Sequence, residues 1–228
     1  MKKAVCLFSG GLDSTTTLYV ARQYGYTVLA LTIYYGQCHA CEIEAARVIA
    51  RDLGIEHQVI ELSLPWKGSA LLDTDLSIPV GRSEAEMNQC IPPTYVPARN
   101  SIFLSMAASY AEARCAESLF IGVNAVDYSG YPDCRPEYLA AFDHVIRLGT
   151  KAGTEGKIIR IEAPLLMMNK KDIVLWGKSL GVPFEKTWSC YRGGKAPCGE
   201  CDSCQLRAKG FREAGIPDPL EIYASSGH

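Results

Sequence analysis

The sequence lacks a basic surplus: 23 Lys and Arg stand against 25 Asp and Glu, a formal net charge of −2 at pH 7. Proteins that grip polynucleotides draw most of their affinity from neutralising phosphates, so no direct nucleic-acid partner is expected and the substrate is expected to be small. No apolar stretch approaches the ~18 residues that suggest a membrane-spanning helix, so no membrane partner is expected either. The apolar run Ala4 to Phe8 is too short for a secretion signal and meets Ser9-Gly10-Gly11 at once. Internal repeats and low-complexity segments are missing too. Ten cysteines without such a signal point to a reducing compartment, where thiols ligate metals or lie buried rather than pair. The expected location is the cytoplasm. What is present, 48% hydrophobic and 21% charged residues over 228 positions, suits one sizeable α/β domain with room for a small appendage.

Strand and helix patterns alternate along the first half. Lys3 to Phe8 reads as a buried strand running into a glycine-rich loop, and Ser14 to Tyr24 as a helix stopped at Gly25. Thr27 to Tyr35 is a second strand, Ala40 to Leu53 a helix ending at Gly54, and His57 to Leu62 a third strand. This order predicts right-handed crossovers and a parallel sheet. Ser63 to Val96 breaks the pattern, punctuated by Pro65, Pro79, Pro92 and Pro93. A loop of that length is usually functional or ordered by a ligand or partner chain, and it suggests a homodimer. Regularity returns with a helix from Arg99 to Arg114, a strand from Ser118 to Val123, a turn-rich stretch from Ala125 to Pro136 and a helix from Glu137 to Leu148. A strand over Lys157 to Ala163 and a helix over Lys170 to Leu180 complete the reading. The expected fold is an open, mostly parallel five-stranded sheet with helices on both faces over residues 1–182, followed by a small cysteine-rich appendage over 183–228.

Ser9-Gly10-Gly11-Leu12-Asp13-Ser14 joins the first strand to the first helix, where an open parallel sheet presents its ligand crevice. Two glycines let the backbone turn tightly beside an anion. Successive amides, the Ser9 and Ser14 hydroxyls and the helix N-terminus then form a phosphate cradle. The alternative is a plain strand-to-helix turn capped by Asp13 or Ser14. No Gly-Lys-Ser/Thr follows, and no Gly-x-Gly-x-x-Gly is present.

Cys190, Cys198, Cys201 and Cys204 are spaced C-x7-C-x2-C-x2-C. Four thiolates suit a closed tetrahedral zinc site that contributes folding free energy. An iron–sulfur cluster is the rival, although ferredoxin-type runs place their fourth cysteine after the triplet. Cys6 and Cys115 are expected to be inert apolar side chains. Cys38 and Cys41 flank His39, a spacing open to redox or metal chemistry but equally to an ordinary helix entry. Two further segments carry ligand-reading groups: Val96 to Asn100, with Arg99, and Asn124 to Arg135, with Asp127, Asp133, Arg135 and two tyrosines. The second is open to a reading as a solvated turn.

The loop Ser9 to Ser14 resembles the SGGxDS signature of the PP-loop ATP pyrophosphatases, matching every defined position. Further stretches, Phe8 to Thr15, Tyr35 to His39, Val96 to Asn100, Gly122 to Arg135, Thr187 to Tyr191, and Pro197 to Arg207 with Gly210-Phe211, are similar in order to the 7-cyano-7-deazaguanine synthase family of the queuosine pathway. One departure is Cys38, where that pattern is expected to have arginine before the histidine. The resemblance implies ATP, as Mg-ATP, on Phe8, Ser9, Gly10, Gly11, Leu12, Asp13, Ser14, Thr15, Thr16, Thr17 and Leu18, with catalytic roles for Ser9, Asp13 and Ser14. It implies conversion of 7-carboxy-7-deazaguanine and ammonia to the nitrile through adenylated intermediates. Asp13 is a candidate partner for Mg²⁺, or else a helix cap. Arg99, Asp127, Asp133 and Arg135 are candidate substrate contacts. The alternatives are a PP-loop tRNA thiolase, which would need a basic RNA-binding face, and a non-catalytic nucleotide sensor.

Overall fold

The buried strand expected after Lys2 forms as β1 (Lys3–Leu7) at the centre of a sheet, and its alternate residues face opposite layers. The structure, a computed structural model, describes residues 2–37, 41–73, 75–124, 131–194 and 196–220. β2 (Thr27–Tyr34) and β4 (Ser118–Phe120) flank β1, with β3 (Glu56–Glu61) beyond β2 and β5 (Arg160–Glu162) beyond β4. Every pairing is parallel, in register Val5 with Leu29 and Leu119. The expected five-stranded parallel sheet is therefore found, in the order β3-β2-β1-β4-β5.

Period-two alternation sorts the strands' side chains. Val5, Leu7, Leu29, Leu31, Ile33 and Leu119 pack under α4 (Arg99–Ala113) and α5 (Pro136–Gly149). Ala4, Cys6, Phe8, Val28, Ala30 and Phe120 pack under α1 (Leu12–Gln23) and α2 (Cys41–Asp52). Ala107, Ala108 and Ala111 give α4 a small-residue face that lies close to the sheet. Fully burying each Leu or Phe here contributes roughly 1.5–3 kcal/mol relative to exposure. A third apolar cluster joins Leu12 of α1 to Ile173 and Val174 of α7 (Lys170–Ser179), and to Phe211 of α8 (Asp202–Ala214).

The irregular stretch after β3 contains one short helix, α3 (Glu84–Gln89). Ser83 and Glu86 form its capping box: the Glu86 N–H donates to Ser83 Oγ (3.3 Å), and the Ser83 N–H donates to Glu86 Oε2 (2.7 Å). That Ser-x-x-Glu signature is visible in the sequence. A second short helix, α6 (Lys151–Thr154), follows α5 directly. Val80 bridges antiparallel to Cys201, and Arg82 pairs with the buried Asp202 carboxylate. This segment is thereby strapped across the cysteine-rich end of the chain. Cys115, expected to be an inert apolar side chain, is exposed with φ +53° in the turn after α4, whereas Cys6 is buried. No helix among the described residues is long and apolar enough to cross a membrane.

The strand order reverses between β1 and β4, since β1 leads outward to β2 and β3 while the later strands add on its other side. At such a switch point the loops leaving the two strands diverge and open a crevice at their carboxyl ends.

Candidate functional site

A cavity of about 300 Å³ occupies that crevice, within the range of pockets that take small molecules. Its floor is the loop between β1 and α1. Ser9 and Ser14 oxygens lie 3.0 Å apart, the Ser9 N–H donates to Ser14 Oγ (3.2 Å), and the Gly11 N–H donates to Ser9 Oγ (3.3 Å). Ser14 and Thr15 hydroxyls both donate to the Gly11 carbonyl, at 3.2 and 2.7 Å. The serines thus fold the loop on itself while the first amides of α1, which have no carbonyl one turn earlier, remain as donors toward the cavity.

Gly10 has φ +82°, and a Cβ there would stand 2.5 Å from both the Ala46 nitrogen and the Glu42 carbonyl oxygen. Only glycine lets the loop rest on the first turn of α2. On the opposite side the Trp188 N–H donates to the Gly10 carbonyl (2.9 Å), so the chain just before the cysteine cluster is tied to the same turn. Asp13 is not the helix cap, because that position is Gly11 and has no side-chain bond. Asp13 instead pairs with Lys170 at the start of α7, and its buried Oδ1 has no hydrogen-bond partner among the described residues. Lys170 carried no sequence signal beyond its place after the N-cap Asn169.

The cavity wall opposite the loop carries Arg99, Tyr35 and Phe103. Arg99 donates to the Tyr35 hydroxyl (3.1 Å), with its guanidinium 5.7 Å from the Tyr35 ring centre and 5.8 Å from that of Phe103. It makes no ion pair among the described residues. Glu42, from the first turn of α2, also lines the cavity. Burial pushes its carboxyl up to about 7, against the opposing effect of Arg99, with the Cys190 sulfur adding to the rise. No hydrogen bond or ion pair reaches that carboxyl among the described residues. The sequence reading missed it because one glutamate in an amphipathic first turn looks like any other.

The remaining candidates separate. Phe8 and Leu12 line the cavity, whereas Thr15, Thr16, Thr17 and Leu18 are buried within α1. Asp133 is buried and accepts the Asn100 N–H through Oδ2 (3.0 Å), so its carboxylate holds the start of α4. Arg135 is exposed and donates to the Pro132 carbonyl (3.1 Å). Asp133 and Arg135 line a different cavity, with Tyr95 and Tyr138. Asp127, Cys38 and His39 lie outside the described residues.

The four predicted cysteines converge: the sulfurs of Cys190, Cys198, Cys201 and Cys204 lie within 4.8 Å of one another. The Cys198 and Arg192 amides each donate to Cys190 Sγ at 3.4 Å, and the Cys201 amide to Cys198 Sγ at 3.4 Å. Hydrogen bonds from the Cys201 and Cys204 thiols, then those amides, hold the Cys190 thiol well below its ordinary value. Clustered sulfurs with thiolate-stabilising amides are the donor set of a tetrahedral metal centre. Cys41 stays outside the cluster, its thiol directed at the Gly193 carbonyl (3.7 Å).

A family model described as "Queuosine biosynthesis protein QueC" matches residues 3–215. The chain is 56% identical over 221 residues to a 7-cyano-7-deazaguanine synthase of Thermosynechococcus vestitus, covering 96% of this chain and 95% of that one. It is 50% identical over 220 residues to the enzyme of the same name from Thermoplasma acidophilum, covering 96% and 92%. Among solved structures it is similar to a U34-tRNA thiolase of Methanococcus maripaludis with its [4Fe-4S] cluster, at 19% identity and a TM-score of 0.48. That likeness covers 97% of this chain and 67% of the other.

Proposed function

The chain belongs to the QueC family of queuosine biosynthesis proteins, and on that premise we propose that its cavity turns 7-carboxy-7-deazaguanine, ammonia and ATP into 7-cyano-7-deazaguanine. It is an ATP-dependent nitrile-forming enzyme. The observation that carries the assignment of chemistry to this cavity is the convergence of two groups of opposite use. A self-braced anion loop lies on one wall and, on the other, a guanidinium without an ion pair among the described residues, across one small space.

In the proposed reaction the amides of the Ser9–Ser14 loop hold the polyphosphate of ATP. Arg99 draws in the carboxylate of the substrate, planar fork to planar anion. A carboxylate oxygen then attacks the α-phosphorus and pyrophosphate departs. Ammonia displaces AMP to leave the amide, and activation of the amide oxygen by a second ATP lets AMP carry that oxygen away as the nitrile forms. Alignment of this kind can be worth ~7–11 kcal/mol of barrier. The protein's part is placement and charge neutralisation rather than covalent chemistry. Mg²⁺ shields phosphate charge when bound with ATP, and Asp13, whose Oδ1 has no partner among the described residues, would hold it. Ser9 and Ser14 shape the loop, and Asp127, Asp133 and Arg135 stand as proposed contacts for the deazaguanine ring or its carboxylate.

The cysteine cluster fits a metal, and we assign it zinc in a structural role, with residues 183–228 as its appendage to the 1–182 nucleotide-binding unit. The same reading makes the substrate a free small molecule rather than a nucleic acid, the location cytoplasmic and the working form a homodimer. Light scattering of the purified protein tests the last. Purified protein incubated with 7-carboxy-7-deazaguanine, ammonium and Mg-ATP is expected to yield the nitrile by mass, with AMP and pyrophosphate. Production of ADP and phosphate instead, or of no nitrile, would refute the assignment. Colourless protein with one zinc per chain is expected, and a brown protein containing iron and sulfide would replace zinc by a cluster.

A further inference from the structure

Four protons leave nitrogen between the ammonium ion and the nitrile, and the amides and hydroxyls of the phosphate loop take none of them. Among the described ionisable side chains lining the cavity, most are already engaged. Asp13 is paired with Lys170, and Arg207 is bonded to Asp218, Thr187 and the Phe184 carbonyl. Arg99 is a cation throughout. Glu42 stands apart: its carboxyl has no protein partner among the described residues, yet its backbone is fixed against the phosphate loop at Gly10. Glu42 therefore lines the same cavity as the loop and Arg99, the space in which an acyl adenylate would sit.

We propose that Glu42 is the general base of the ammonia-dependent steps, accepting protons from the nitrogen as the amide and then the nitrile form. The proposal rests on the nitrile-synthase reading above. In the first half, ammonium passes a proton to the Glu42 carboxylate and the freed lone pair attacks the acyl carbon. The C–O bond to AMP breaks with its electron pair on the AMP oxygen, and a second N–H proton is released. In the second half, the adenylated amide loses its two remaining N–H protons to the carboxylate as the second C–N π bond forms and AMP departs with the oxygen. Between events the acid form returns its proton to water at the cavity mouth. No oxidant or reductant is involved.

The groups facing Glu42 favour this role. Tyr35, just after β2, and Arg99 from α4 line the cavity with it, as do Asp13 of the loop and Lys170 at the start of α7. Burial, the largest effect, outweighs Arg99 and pushes the carboxyl up to about 7, where a base works best at neutral pH. The sign follows directly. Below about 7 the group is protonated and cannot accept a proton, so turnover rises as pH increases through that region.

The test compares wild type, Glu42→Gln and Glu42→Asp in two assays. Isotope exchange between pyrophosphate and ATP, with the carboxylate substrate and no ammonia, reads adenylation, which needs no base because the nucleophile is already an anion. Nitrile formation with ammonium reads the proton-dependent steps. The Gln variant is expected to exchange pyrophosphate within about threefold of wild type and to keep its KM for the acid, while its kcat for nitrile falls roughly 100-fold or more. The limb near pH 7, measured at constant free ammonia, is expected to vanish in Gln, and Asp should restore part of the rate. Nitrile formation by Gln within about tenfold of wild type would overturn the proposal. So would a raised KM with kcat kept, or loss of exchange together with nitrile. If wild type exchanges pyrophosphate but makes no nitrile, the nitrile-synthase reading fails first, and this assignment with it.

Discussion

Arg99 meets the cavity with the Tyr35 hydroxyl as its hydrogen-bond partner and two aromatic rings against its guanidinium. A guanidinium held by this hydrogen bond and these rings presents a pre-organised fork, which an ammonium on a flexible stem does not reproduce. Replacing it by lysine preserves charge and removes the bidentate geometry. Hydrogen bonds to charged groups are worth ~1.5–3 kcal/mol, so Arg99→Lys is expected to raise KM for the carboxylate substrate by roughly tenfold to a hundredfold. KM for ATP, bound on the other wall, should stay near the wild-type value. Steady-state kinetics with each substrate varied in turn decides it, and an equal rise in both constants would place Arg99 in a general structural role. The sequence marked Arg99 through its position ahead of a helix. It could not mark Glu42 or Lys170, because their roles arise from what other elements bring beside them.

Helix α8 crosses the start of α7 at Gly210, where a Cβ would stand 2.7 Å from the Lys170 Cβ and 3.1 Å from its carbonyl carbon and oxygen. The crossing fixes Lys170, and Lys170 fixes Asp13 of the phosphate loop. Two effects compete in Gly210→Ala. Helix propensity favours alanine by ~1 kcal/mol, while overpacking against backbone costs ~1–3 kcal/mol. The neighbouring atoms are main chain and its first carbon rather than a flexible tip, so overpacking wins. A net destabilisation of up to about 2 kcal/mol is expected in urea unfolding, together with slower pyrophosphate exchange from the displaced Lys170. Unchanged exchange alongside lower stability would uncouple α8 from the loop. Most elements were legible because their patterns were strong: β1 ends in a glycine turn, α1 stops at Gly25, and α4 carries its alanines on one face. α8 was not foreseen as a 13-residue helix, since its first residues double as the cysteine knuckle and mask a helical period.

Across the whole molecule, the cysteine cluster and the phosphate loop are one mechanical unit. The Trp188 N–H bonds the Gly10 carbonyl at 2.9 Å, Trp188 Nε1 bonds the Cys190 carbonyl at 3.1 Å, and Cys201 caps α8 while bridging Val80. Removing a structural metal therefore reaches the nucleotide site. A chelator strong enough to strip the cluster's metal is expected to lower the melting temperature by roughly 10 °C or more, because closed four-thiolate sites contribute several kcal/mol to folding and each kcal/mol moves a domain of this size by ~2–4 °C. Pyrophosphate exchange should fall in parallel. Metal release without change in either would make the cluster dispensable to the fold. The sequence by itself determined the parallel sheet, the glycine turn after β1 and the four-cysteine set, because each is written in local periodicity or fixed spacing. The pairing of Asp13 with Lys170, the parting of Asp133 and Arg135 from the cavity, and the poised Glu42 were decided only by the tertiary structure. Those properties depend on the burial and charge that distant segments impose on one another, and no local pattern in the chain encodes them.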